Sequence, residues 1–384
     1  MFAAKLRPCV RALQRVSKIQ TTFLIHRPTL EIRRTIFSDE YLGVDFYGRI
    51  SSKVKLSMSD EDGFKSNMAN IFDVSGLQSI FTDDIVKLID LASDDKDFDL
   101  IKNILLECMR DDYRSGSCHK PICHFFVQCL RLSKVEQAKL FWSDEQVRKS
   151  GVLDLHSVRL NYLTLLYRTE LYDDLVSAYS TFKNTNLNEA TIAVAALSRI
   201  GTPAAFATAT EILRQPSTSG VGHYRSSNGR IAPLYSMFAY KVGQYGLAFD
   251  VLTKASSRPG KLSTNLKILI MSEVGRLNDA LLLIRSELLP PRDSKNEQNE
   301  HTSPRKAIVC LEVMKKLTNA VRDKNDAELS RELTSLCKAL DGSAILSEGS
   351  LEEMIYEPIA QSKRRENVST HRREYKDKRN IYTD

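Results

Sequence analysis

The 384 residues are 42% apolar and 27% charged, which is enough to bury a sizeable core and too apolar for a chain disordered throughout. Sixteen glycines and eleven prolines fall below the average usage of about 7% and about 5%, which disfavours turn-rich β architectures and points to helix. The formal net charge is +7, but residues 1–36 carry eight basic residues against one acid and leave 47 basic and 47 acidic residues for the rest, so overall charge gives no case for a polyanion-binding body.

In chain order, Met1 to Leu30 holds six basic residues and no acid, interleaved with Phe2, Leu6, Val10, Leu13 and Val16. An induced helix there would carry apolar groups on one face and cations on another, the composition of a mitochondrial transit peptide. Lys5, Arg7, Arg11 and Arg15 break every apolar run that a secretory signal would need. Residues 1–37 are read as this targeting segment, with the mitochondrial matrix as destination. Residues 38–81 form an N-terminal extension with a helix expected around Phe64 to Phe72. No apolar run approaches the roughly 18 residues of a membrane span, so none is expected.

Seven cysteines without a CxxC pair suit a reducing compartment. Cys118, His119, Cys123, His124 and Cys129 are close in sequence but lack a standard zinc spacing, and they read as part of an apolar helix around Phe125 to Leu130. No metal or other cofactor is expected.

From residue 82 to 289 the chain repeats itself. Ser263 to Ile284 carries an apolar stripe at Leu266, Leu269, Ile270 and Val274, a break at Gly275, and a second stripe at Leu277, Ala280, Leu281 and Ile284, the pattern of an αα-hairpin. The same outline recurs, and the residue opening each second helix gives Phe98, Val135, Tyr172, Pro203, Tyr245 and Leu277, spaced by 37, 37, 31, 42 and 32 residues. That spacing, about 36 on average, is where helical-pair repeats lie, and hairpins that cannot bury an apolar face alone must stack. The expected architecture is all-α: a right-handed α-solenoid of about six helix-turn-helix repeats. A polar linker follows at residues 290–306, beginning Pro290-Pro291. Residues 307–361 are expected to form a C-terminal helical cap, with helices at Ala307 to Leu317 and Ala327 to Leu340. Residues 362–384 carry eight basic against four acidic residues and read as a basic arm.

Asn265 through Leu281, with Gly275-Arg276-Leu277 and Ala280-Leu281 at the joint, resembles the pentatricopeptide repeat family. The resemblance implies a non-catalytic protein binding single-stranded mitochondrial RNA, acting in RNA maturation or stability and so supporting the respiratory chain. Other mitochondrial RNA-processing or ribosomal proteins are implied as further partners. In that family each repeat offers a base two or three side chains. Counting back twelve residues from each marker puts the reading position at Val86, Cys123, Leu160, Thr191, Pro233 and Asn265. Thr191 and Asn265 are hydrogen-bonding there, and Asn161 lies one residue off register. Either asparagine could equally be a solvated or capping residue. Lys87, Arg159, Lys261 and Lys267 are candidate phosphate contacts, joined by Arg364, Arg365, Arg372 and Arg373 of the basic arm.

The sequence bears on two other classes. A protein-interaction scaffold, docked on a ribosome or assembly complex with a peptide in its groove, suits the neutral body and the apolar reading positions. An enzyme is disfavoured, since the chain lacks GxxxxGK[ST], GxGxxG, HExxH and GxSxG patterns.

Overall fold

The computed structural model describes residues 35–110, 118–215, 230–255, 261–289, 307–347 and 349–359. They are mostly helical and fall into two compact units, Thr35–Leu165 with Pro358 and Ile359, and Leu166–Glu357. Of residues 1–37, expected from the sequence to be a targeting segment, 1–34 lie outside the described residues, as do residues 290–306, expected as a linker, and 360–384, which include the basic arm.

The first unit opens with α1 (Asp39–Leu42), α2 (Val44–Ser57) and α3 (Glu61–Ser75), so the extension is far more helical than the sequence reading allowed. Ser38 accepts from the Tyr41 amide at the start of α1, and Asp60 accepts from the Gly63 amide at the start of α3. Two hairpins follow: α4 (Thr82–Leu91) with α5 (Asp95–Arg110), and α6 (His119–Leu132) with α7 (Val135–Ser143). The start of α5 is a reciprocal cap. The Asp97 amide donates to Asp94 Oδ1 at 2.9 Å, while Asp97 Oδ2 accepts from the Ser93 amide at 2.8 Å and from Lys65 Nζ at 2.7 Å. First helix packs on first helix, α4 on α6, and second on second, α5 on α7. Phe98, Phe125, Phe126 and Phe141 interlock between them at centroid distances of 5.0 to 5.9 Å. A short α8 (Glu145–Lys149) leads to α9 (His156–Arg168), where the division between units falls.

The second unit continues the alternation with α10 (Tyr172–Ser180), α11 (Leu187–Ile200), α12 (Pro203–Arg214), α13 (Ile231–Lys241), α14 (Tyr245–Lys254), α15 (Lys261–Glu273) and α16 (Leu277–Leu283). Asn186 and Glu189 form a capping box on α11, and Thr202 caps α12 with Pro203 at its first turn. First helices are laddered here too, α11 on α13 and α13 on α15, with α12, α14 and α16 each against its own first helix.

The hairpin joints after the first, which joins α4 to α5, share one geometry. A single left-handed residue stands two positions ahead of the second helix at Ser133, Glu170, Gly201, Gly243 and Gly275, with φ between 54° and 76°. At four of them the next residue's amide reaches back five positions, Lys134 to Cys129, Leu171 to Leu166, Gln244 to Ala239 and Arg276 to Met271. This is the helix-ending motif that satisfies orphan carbonyls. Glycine takes the positive φ without a Cβ clash at three joints, whereas Ser133 and Glu170 adopt it against their preference.

The C-terminal region departs from expectation at its start. Ala307–Cys310 is a strand, β1, pairing in parallel with β2 (Ala344–Ser347), because its main chain is claimed by β2 and by Asn265 before α17 (Leu311–Lys324) begins. α18 (Ala327–Ser343) packs on α17, and a five-residue α19 (Leu351–Ile355) follows, capped by Ser350 and Glu353. Among the described residues no helix is long and apolar enough to cross a membrane.

Candidate nucleic-acid interface

If the repeats read a strand, the reading side chains must project from the first helices onto an open face. Two of the first helices are instead enclosed on every side: Ala190 to Ser198 in α11 and Ile231 to Ala239 in α13, mostly apolar, are buried without a gap. A helix apolar on every side needs cover on every side. In the second unit the cover comes from the C-terminal region, with α17, β1 and α19 against α15 and α19 against α13. In the first unit it is α2, which lies across α4 and α6.

The three polar reading residues are therefore enclosed. Asn265 is 0% exposed; its Nδ2 donates to the Ile308 carbonyl at 2.9 Å and its Oδ1 accepts from the Cys310 amide at 2.9 Å. Both ends of the amide thus hold the main chain of β1, and the base-reading role is corrected to that of a strand clamp. Thr191 is buried and its hydroxyl donates to the Leu187 carbonyl one turn back at 2.6 Å, so it offers nothing to a base in this arrangement. Asn161 is likewise buried in α9. Among the cations, Arg159 is enclosed with its guanidinium on the Leu153 carbonyl and the Asp154 carboxylate, and Lys87 pairs with Asp84 at 3.3 Å. Lys267 is half-buried, and burial pulls its pKa below the ordinary value with Glu287 opposing. Arg364, Arg365, Arg372 and Arg373 lie outside the described residues.

What the structure gathers instead is a set of cations that the sequence reading passed over. Arg199 and Lys241 stand two residues before the joint glycines of α11 and α13, and Arg131 and Arg168 hold the same place before Ser133 and Glu170. Glu273 breaks the series before Gly275. A cation at a helix C-terminus is favoured by the dipole alone, which is why the pattern reads as ordinary capping until the repeats are aligned on their joints. Arg230, at the N-terminal end of α13, joins Arg199 and Lys241 in the second unit.

Of these, Arg199, Arg230 and Lys241 meet α19 and the residue that follows it. Arg230 donates to the Met354 and Ile355 carbonyls at 2.8 Å each, and burial pushes its pKa down with Glu357 opposing. Lys241 Nζ lies 2.6 Å from Glu352 Oε1, and Arg199 lies 3.7 Å from the same oxygen. Arg199 also stacks over Tyr356 at 4.0 Å, and Tyr356 donates to Ser198 Oγ at 2.8 Å. Burial raises the pKa of Tyr356, and of Tyr167 to a greater degree.

One buried polar cluster in the first unit carries the residue types of a nucleophilic triad. Ser51 donates to Asp90 Oδ1 at 2.6 Å, and His124 Nε2 lies 2.9 Å from the same oxygen, an ion-pair separation though not aligned for a hydrogen bond. The carboxylate takes the centre that an imidazole holds in such a triad, so Ser51 is not set beside the histidine, and the group ties α2 to α4 and α6. Among the described residues no cluster of histidine, cysteine or carboxylate side chains is arranged to hold a metal ion. No protein-family model matches the chain, and no curated protein matches it.

Proposed function

We propose that the chain is a non-catalytic pentatricopeptide-like protein that binds single-stranded RNA in mitochondria and serves the maturation or stability of a transcript. The observation that carries this reading is the recurrence of one hairpin joint, with second helices opening at Val135, Tyr172, Pro203, Tyr245 and Leu277 and first helices laddered within each unit. A right-handed solenoid is the natural continuation of that ladder. The cationic series at the ends of first helices supplies phosphate contacts, and the basic arm supplies others without a fixed geometry. Base selection at Asn161, Thr191 and Asn265 is not part of this reading. The protein should retain mitochondrial transcripts with an affinity that falls as salt rises, and removing Ser362–Asp384 should flatten that dependence. Salt-independent retention, or none, would end the proposal.

A second reading, a protein-interaction scaffold, is favoured by the hold of Asn265 on β1. An amide that donates to one main-chain carbonyl and accepts from the amide two residues on grips any extended peptide, whatever its side chains. Capture of an extended peptide in place of RNA by the intact protein would move the assignment to that class.

A further inference from the structure

The contacts of α19 have the chemistry of a bound phosphate backbone. Glu352 places one carboxylate oxygen against both Lys241 and Arg199, and the last carbonyls of α19, which have no partner within the helix, face Arg230. We infer that Arg199, Arg230 and Lys241 form an anion-binding site for the phosphates of single-stranded RNA, and that the strap Leu351–Glu357 occupies it in cis. The inference rests on the RNA-binding reading and names the site and the switch within it.

Three features make the strap separable from the surface it lies on, although Leu351, Ile355 and Tyr356 are buried there. Its helix is five residues long, too short to persist without the surface it lies on. Its hold on α11 and α13 includes exchangeable polar contacts: the two carbonyls, one shared carboxylate oxygen and the Tyr356–Ser198 hydrogen bond, beside the Arg199–Tyr356 stack. Finally, Lys241 and Arg199 occupy the same repeat position, so the strap covers consecutive rungs of a series that the fold repeats, where a polyanion would run. The apolar anchors Leu351 and Ile355, each 1% exposed, keep the closed state dominant, and the affinity observed for RNA is reduced by the fraction of time the strap is closed.

The test uses the full chain, with fluorescein-labelled oligouridylate as one probe and inorganic polyphosphate as the other, each across a salt series. Glu352→Gln alters a partly exposed side chain and leaves the fold intact; removing its two ion pairs should raise affinity about threefold. Glu352→Gln with Tyr356→Ala should raise it about tenfold, with the salt slope steeper by about 2, since three cations each release roughly 0.7 of a counterion. Adding Arg199→Gln, Arg230→Gln and Lys241→Gln to that double variant should return both values to those of the unaltered protein. Hydrogen exchange at the Met354 and Ile355 amides reports release directly and should rise in both variants.

Unchanged affinity for both probes while exchange rises overturns the inference, as does a gain that survives loss of the three cations. Equal RNA affinity in every variant also overturns it while leaving the RNA-binding reading in place. A gain for polyphosphate without any RNA binding keeps the anion site and its strap, and sinks the RNA reading alone.

Discussion

Replacing Asn265 with alanine separates a base-reading asparagine from a structural one. An exposed asparagine waiting for a base could be truncated at a cost within about 0.5 kcal/mol. In this fold Asn265 is fully enclosed, and Asn265→Ala removes two hydrogen bonds worth about 1 kcal/mol each. It also leaves the Cys310 amide, whose residue is 0% exposed, and one lone pair of Ile308 without this partner; an unpaired buried amide costs a further 1–3 kcal/mol or so. The expected loss is about 3 kcal/mol, a roughly hundredfold change in the local equilibrium. Hydrogen exchange at Cys310 reads it locally, and urea unfolding followed by circular dichroism reads it globally. A change below about 0.5 kcal/mol, with Cys310 exchange unaltered, would refute the strand-clamp role and restore Asn265 as a candidate reader.

The shared joint predicts opposite signs at two equivalent positions: Ser133→Gly should stabilise the first unit by about 0.5–1 kcal/mol, and Gly243→Ala should destabilise the second by about 1 kcal/mol, both measured by thermal unfolding. For Asp97, burial pushes the carboxyl up, but Lys65 and the Ser93 and Asp94 amides outweigh it and hold the pKa below 3.8. Its contribution is therefore present above pH 3.8 and lost as pH falls through the folded value; Asp97→Asn should cost about 2 kcal/mol at neutral pH and flatten the acid limb of the stability curve. Burial pushes Tyr179 up to about 12, so its contribution is complete below pH 10 and lost as pH climbs through about 12. Tyr179→Phe should remove part of that alkaline slope, and ultraviolet titration of the phenolate should lose one late-ionising group.

The hairpins were legible in the sequence because joint glycines and apolar stripes recur together, so that Gly275 marks a helix break wherever a stripe ends beside it. Ser133 and Glu170 were not, since nothing in a serine or glutamate announces a left-handed conformation that tertiary packing imposes. The strand at Ala307–Cys310 was read as helix because Ala-Ile-Val-Cys is apolar at either period, and its pairing partners lie dozens of residues away. The enclosure of the reading residues had a signal that was present and unused. Thr-Ile-Ala-Val-Ala-Ala-Leu-Ser in α11 and Ile-Ala-Pro-Leu-Tyr-Ser-Met-Phe-Ala in α13 have no polar side to turn toward water, and a helix lining a wet groove needs one. The cations at Arg131, Arg168, Arg199 and Lys241 became a pattern only when counted from the joints, not from the starts of second helices.

The most direct measurement of the central claim is ultraviolet crosslinking of the protein in intact cells, followed by its recovery under denaturing conditions and sequencing of attached RNA. The account predicts mitochondrial transcripts enriched over uncrosslinked controls, with crosslinked peptides from the basic arm and from α11 and α13. Recovery of crosslinked protein partners with no transcript enrichment would contradict it and leave a peptide-gripping scaffold in its place.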